Sequence, residues 1–193
     1  MGGHGPRERV VYGCAQLVRE RGVTGTGLRE VVARAGAPRG SLQHYFPGGK
    51  DQIVREALGW SADFAAARVR DYVDGTAGPT PGGLFGAMVE QWRVDLGRRG
   101  FVAGCPLVAA TADVAASNEA LRAAIRAGFE TWVGSVRAAL DRMGVPAGRA
   151  AGLALLMISA LEGAIVLARS RHELAPLDAV EAELRPLLDG AAR

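Results

Sequence analysis

Residues 39–50 read RGSLQHYFPGGK, and the side chains in this stretch suit contact with a nucleic acid better than catalysis. The guanidinium of Arg39 can donate two hydrogen bonds to a guanine edge, and the carboxamide of Gln43 can pair with adenine. Ser41 and Tyr45 carry hydroxyls able to reach phosphate oxygens, contacts that orient a protein on a duplex without reading its sequence. Lys50, the only lysine in the chain, falls at the start of an expected helix. There, free amides and the helix dipole favour a phosphate, and the lysine adds a point charge. His44 either faces bases or caps and packs locally. Arg7 and Arg9 either reach the duplex from the N-terminus or form a solvated arm.

These side chains need a helix to aim them. Leu42 and Phe46 lie four residues apart on the side that packs inward, which leaves Arg39, Gly40, Ser41, Gln43 and Tyr45 able to face outward. Pro38 is expected in the first turn of this third helix, where its missing amide costs nothing. Pro47, Gly48 and Gly49 end it. Upstream, Val10, Cys14, Leu17 and Val18 form one face of a helix over about residues 6 to 21, which Gly22 closes in a left-handed conformation. Thr26 predicts the N-cap of a short second helix carrying Leu28, Val31, Val32 and Ala35, with Gly36 as its stop. Two short helices joined by a tight turn match the helix-turn-helix pattern, whose second helix enters the major groove.

Downstream, apolar spacing stays helical. A fourth helix runs from near Lys50 toward Val73, long enough to join two domains, and the Gly-, Pro- and Thr-rich segment Gly75 to Gly83 reads as a loop. Phe85, Met88, Val89, Trp92 and Leu96 predict a fifth helix. Leu121, Ile125, Phe129, Trp132, Val136, Leu140 and Met143 trace another that ends at Gly144, since Pro146 prevents its continuation. From Gly148 to about Arg171 the chain is apolar on nearly every side, and Leu177, Val180, Leu184, Leu187 and Leu188 mark a final amphipathic helix. No alternating β-branched run is long enough for a strand, so the fold class is all-α.

Composition narrows the function. Over 193 residues with 49% hydrophobic content the chain can bury a core without staples. Cys14 and Cys105 are far apart and outside any Cys/His cluster, which argues against disulfides, a metal site or a cofactor and for reduced thiols in the cytoplasm. No secretory signal opens the chain. Net charge is +3, with nine basic residues against five acidic through Trp60, so the excess is N-terminal and suits a polyanion-binding head. No catalytic residues are expected: serine, histidine and acidic groups are sparse beyond residue 60, and no glycine-rich phosphate loop follows a strand.

From Thr26 to Leu58 the segment TGLREVVARAGAPRGSLQHYFPGGKDQIVREAL resembles the tetracycline-repressor (TetR) family, and its G-S-L…F-P-G-G-K part is similar to the branch of lincomycin-resistance repressors. The GCPL segment from Gly104 to Leu107 adds to the likeness. The family commonly carries an aromatic residue, usually Tyr, where this chain has Gln43. The resemblance implies a three-helix DNA-binding domain over residues 1–50 and a helical-bundle effector-binding and dimerisation domain over 51–193. It implies DNA contacts from Thr26, Arg39, Gly40, Ser41, Gln43, His44, Tyr45 and Lys50. It further implies a double-stranded DNA operator, a homodimer built through the last two long helices, and release by an unknown small hydrophobic or aromatic effector.

For that effector, Met88, Trp92, Phe101, Cys105, Trp132 and Met157 are the candidate apolar lining, although ordinary core is the simpler reading of any one of them. The run from Ala150 to Ala168 is about as long as a membrane span. Glu162 near its centre and the many small residues argue for a subunit interface instead. Glu162 itself is either buried, to meet a cation or a partner subunit, or partly exposed at a helix edge. A helix-turn-helix protein with no effector, a helical enzyme and a membrane protein are the rival classes.

Overall fold

The computed structural model describes residues 5–38 and 41–192, apart from the side chain of Ser41. Among the described residues the chain forms helices and no strand: α1 (Pro6–Arg21), α2 (Leu28–Ala35), α3 (Ser41–Tyr45), α4 (Gly49–Gly75), α5 (Pro81–Arg99), α6 (Pro106–Val114), α7 (Glu119–Arg142), α8 (Ala147–Arg171) and α9 (Ala175–Gly190). The expected all-α class is the observed one.

Local chemistry sets the boundaries, with several departures from the expected pattern. Gly22 ends α1 with φ 74° and ψ −179°, a conformation open to glycine but not the left-handed helical one anticipated. The N-cap of α2 is Gly27 rather than Thr26, because the Thr26 hydroxyl turns back to donate to the Gly22 carbonyl at 2.6 Å. Gly36, at φ 58° and ψ 34°, closes α2 as expected and lets the Ala37 amide reach the Val32 carbonyl at 3.2 Å. Pro38 lies outside α3 in non-helical backbone. A residue before proline is pushed away from helical backbone, so Ala37 favours an extended entry to the turn. The loop after α4 is shorter than Gly75 to Gly83: Pro81 presets the first turn of α5, and the Thr80 hydroxyl accepts from the Gly83 amide at 3.0 Å.

The chain divides into two compact units, residues 1–63 with 105–129 and residues 64–104 with 130–193. Packing therefore groups α6 and the first turns of α7 with the helix-turn-helix, a different division from the one expected at residue 50. In the first unit α1 packs on α2 and on α6. Val10, Cys14, Leu17 and Val18 are buried as one face of α1, together with Val31, Val32, Phe46, Ile53, Leu58, Leu107 and Ala110. Removing such apolar area from water, at roughly 25 cal/mol per Å², is what holds helices as short as α2 in place.

In the second unit α9 packs on α5 and α8. Arg93 of α5 clamps α9 through Glu181 at 2.6 Å and Asp178 at 2.8 Å. Partial burial opposes the Arg93 charge, but the carboxylates of Glu181, Asp178 and Glu90 more than offset it and its pKa is raised. The helix α8 is long and apolar enough to cross a membrane, yet half of its most apolar stretch is buried within the protein. Glu162 is buried on it, so the helix-edge placement does not apply.

Candidate DNA interface and effector region

The helix-turn-helix is assembled from short pieces held by named contacts. Val31, Val32 and Ala35 anchor the inner face of α2. At the end of α3, the Phe46 amide donates to the Leu42 carbonyl at 2.7 Å, and its ring is buried under the Arg7 guanidinium, 5.3 Å from the ring centroid. Leu42 is half-buried. The chain then turns through Gly49, φ 65°, whose amide donates to the Phe46 carbonyl at 2.9 Å, and enters α4.

This leaves Gln43 and His44 exposed on α3, and Tyr45 half-buried with its ring edge-on to His44 at 5.0 Å between centroids. Arg39 and Gly40 lie outside the described residues, as does the side chain of Ser41, whose backbone opens α3. Thr26 is buried, and its bond to Gly22 makes it part of the turn between α1 and α2 rather than of the surface. Lys50 is half-buried in the first turn of α4 and makes no ion pair among the described residues.

Most other cations of this unit are committed. Arg7 bonds Glu56 at 2.7 Å, Arg21 bonds Glu30 at 2.7 Å, and Arg34 bonds Glu20 at 2.6 Å. The Arg34–Glu20 bond raises the arginine pKa, while the Arg21 hydrogen bond and the Gly27 amide hold the Glu30 carboxyl below its ordinary value. Arg9 donates to the Ala35 carbonyl at 3.1 Å, closing the C-terminal end of α2. Arg7 and Arg9 thus brace the head and do not form a solvated arm. Arg29 on α2 and Arg55 on α4 are exposed and make no ion pair among the described residues. Neither stands out in the sequence, since arginine is nearly the sole basic residue and its presence alone carries no signal.

The six candidate effector residues do not share one opening. Met88, Trp132 and Met157 are buried, Trp92 and Phe101 are half-buried, and all five belong to the second unit; Cys105 is buried in the first. None of them lines the groove of about 350 Å³ between α4 and α7 in the second unit. Its floor is apolar, with Ala66, Val69, Val73 and Ala139 buried. Arg70 and Arg142 stand at its edges, Arg142 bonded to Asp74 at 2.9 Å. The Ser135 hydroxyl donates to the Ala66 carbonyl at 3.2 Å, tying α7 to α4 along the groove. Among the described residues no cluster of His, Cys, Asp and Glu could hold a metal ion.

Comparison with known proteins agrees with this architecture. Residues 13–57 match the model of the bacterial regulatory proteins of the tetR family, and residues 81–183 match that of the LmrA/YxaF-like transcriptional regulator C-terminal domain. An HTH-type transcriptional regulator of Mycobacterium tuberculosis, Rv0196, is 39% identical over 95% of this chain and 94% of its own. The HTH-type transcriptional repressor KstR2 of the same organism is 41% identical over 79 residues, 40% of this chain and 39% of its own. A TetR regulator from Legionella pneumophila shares the fold, with a TM-score of 0.80 at 17% identity across 97% of this chain and all of that one. A buried helix-turn-helix scaffold, an α3 that exposes polar side chains and a separate helical unit are thus accounted for together: the chain belongs to the tetR family of bacterial transcriptional regulators, DNA-binding proteins that are not enzymes.

Proposed function

We propose that this regulator is a repressor that occupies a palindromic operator as a homodimer and leaves it when a small apolar effector binds the second unit. The observation that carries the reading is α4, one uninterrupted helix from Gly49 to Gly75. Its first turn holds Lys50, next to α3, and its last turns supply Ala66, Val69, Arg70 and Val73 to the apolar groove. A ligand wedged between α4 and α7 touches the same helix that carries Lys50. Gln43 and His44 face the bases, Tyr45 and Lys50 take phosphates, and Thr26 supports the turn; base contact by Arg39, phosphate contact by Ser41 and DNA contact by Gly40 rest on the sequence pattern alone. Of the six apolar candidates, Trp132 follows groove-lining Thr131 on α7 and reports on the groove. Buried Met88 and Met157 and half-buried Trp92 and Phe101 belong to the same unit but line no part of the groove.

A dimer through α8 and α9 is supported by an unburied apolar stripe. Leu155, Leu156, Val166 and Leu167 are exposed along one side of α8, and Ser159 and Gly163 between them allow close approach of a second helix. Leu187 extends the apolar surface onto α9. Surfaces of this kind mark interfaces, and a two-fold pair of heads matches a two-fold operator. The repressor relative supports the sign of regulation. Cytoplasmic placement goes with DNA as the partner.

The effector must bind the DNA-free form more tightly, with a coupling of typically about 1–3 kcal/mol. The test is a set of apolar and aromatic compounds screened by tryptophan fluorescence and by release of a labelled duplex from the gene's own upstream region. A compound that changes both in the wild type, and neither in an Ala139→Trp variant that fills the groove, supports the reading. Compounds that leave operator affinity unchanged throughout make the chain a DNA-binding regulator without an effector.

A further inference from the structure

The turn between α1 and α2 is built around a carboxylate from far along the chain. Of its backbone donors, Gly22 bonds back to Val18 and Thr26 back to Val23. Those of Val23 and Thr24 go instead to Asp113 near the end of α6. The Thr24 amide donates to Asp113 Oδ2 at 2.6 Å, and the Thr24 hydroxyl donates to Oδ1 at 2.6 Å. The fit is close: a Cβ added at Gly22 would lie 2.8 Å from Oδ2, and the φ of 74° at Gly22 disfavours a side chain in any case. The Thr24 hydroxyl, then the Thr24 amide, hold the Asp113 carboxyl below its ordinary value, so the group is charged when it makes these bonds.

Five residues on, the same segment makes a second attachment. The Asn118 carboxamide accepts the Leu121 amide at 3.0 Å, capping α7, and donates at 3.0 Å to Asp51 in the first turn of α4. The reading helix α3 has only five residues and depends on its flanking elements for placement: α2, whose far end starts at the α1–α2 turn, and α4, whose near end is its first turn. Asp113 holds the first of these ends and Asn118 the second.

We propose that Asp113, seconded by Asn118, is a positioning residue for DNA recognition, fixing the α1–α2 turn so that α3 meets base edges at the correct depth. The inference rests on the reading of α3 as the base-contacting helix. Base contacts require fixed geometry, whereas phosphate contacts tolerate displacement, so loosening the turn should cost selective binding more than general binding.

The experiment is fluorescence anisotropy of the 193-residue chain on its own upstream duplex and on a scrambled duplex. Wild type, Asp113→Ala, Asp113→Asn, Thr24→Val and the double variant Asp113→Ala/Thr24→Val are compared, with the active fraction of each fixed by stoichiometric titration. Asp113→Ala should weaken selective binding about tenfold and binding to scrambled duplex less than about twofold. Asp113→Asn, which keeps one acceptor, should fall between, and the double variant should add little to Asp113→Ala. An Asp113→Ala protein with unchanged selectivity, or with only a smaller active fraction at unchanged affinity, overturns the proposal. Should Asp113→Ala fail to fold, unchanged selectivity in both Asp113→Asn and Thr24→Val overturns it equally. A wild type that does not discriminate the two duplexes refutes the reading of α3 itself, a distinguishable result.

Discussion

The two compact units solve opposite surface problems. In the unit that holds the helix-turn-helix, charged side chains are tied down by Arg7–Glu56, Arg21–Glu30, Arg34–Glu20 and Asp113–Thr24, and what remains outward on α3 is polar. In the other unit, the Arg93 clamp closes one side while α8 leaves Leu155, Leu156, Val166 and Leu167 uncovered. A polar surface with committed neighbours is prepared for a hydrated, charged partner. An apolar stripe with glycine and serine along it is the surface that the proposed dimer would cover with a second helix.

The contrast is broken most severely on α8. Leu156→Arg together with Leu167→Arg, both at exposed positions, should leave the monomer folded and abolish its association in sedimentation. Loss of the second head should lower operator affinity by on the order of a hundredfold or more. A doubly substituted protein that remains a dimer would place the interface elsewhere. On the other surface, Gln43→Ala should cost about 1–3 kcal/mol of selectivity at one base position in competition binding. Within the second unit, Arg93→Ala should lower stability in urea by about 1–3 kcal/mol, the worth of hydrogen bonds to charged groups discounted for partial exposure, with no effect on duplex selectivity.

The smallest expected effect concerns Cys14. Burial pushes its thiol from 9.0 up to about 12, with Lys50 acting weakly in the opposite sense. A raised folded pKa means stability is intact below pH 9 and declines as pH rises toward 12, because only the unfolded thiol ionises across that window. Native protein should therefore resist iodoacetamide at Cys14 at about pH 8, below the ordinary thiol pKa, and react on unfolding; fast native labelling would show that α1 is not packed as described.

Much of the fold was legible because punctuation is strong. Gly22, Gly36, Gly144 and Pro146 end helices whose inner faces carry a clear 3.6-residue period, while the start of α2 falls at Gly27 and not at the expected Thr26. What escaped notice was α6. Its sequence PLVAATADV is short and mixes small and apolar residues, so it has no amphipathic face to detect, and only Pro106 at its first position marked it. Missing α6 meant missing Asp113, whose partner Thr24 is 89 residues away and carries no local signature. On α3 the exposure of Gln43 follows from the inward spacing of Leu42 and Phe46, whereas Tyr45, expected outward, is half-buried and His44 is exposed. An apolar pocket needs only apolar surface, so nothing in the sequence separates Met88, Trp132 and Met157 from ordinary core, and the α4–α7 groove has a floor of alanines and valines that carry no distinguishing chemistry either.

The central claim, that α3 reads bases while Lys50 holds a phosphate, is tested most directly by a salt series of duplex affinities for the wild type, Gln43→Ala and Lys50→Ala. Lys50→Ala should weaken selective and scrambled duplex alike and reduce the slope of log K against log salt by about one, while Gln43→Ala should leave the slope unchanged and flatten selectivity. If Lys50→Ala alters sequence preference and leaves the slope intact, the roles assigned to the two side chains are wrong.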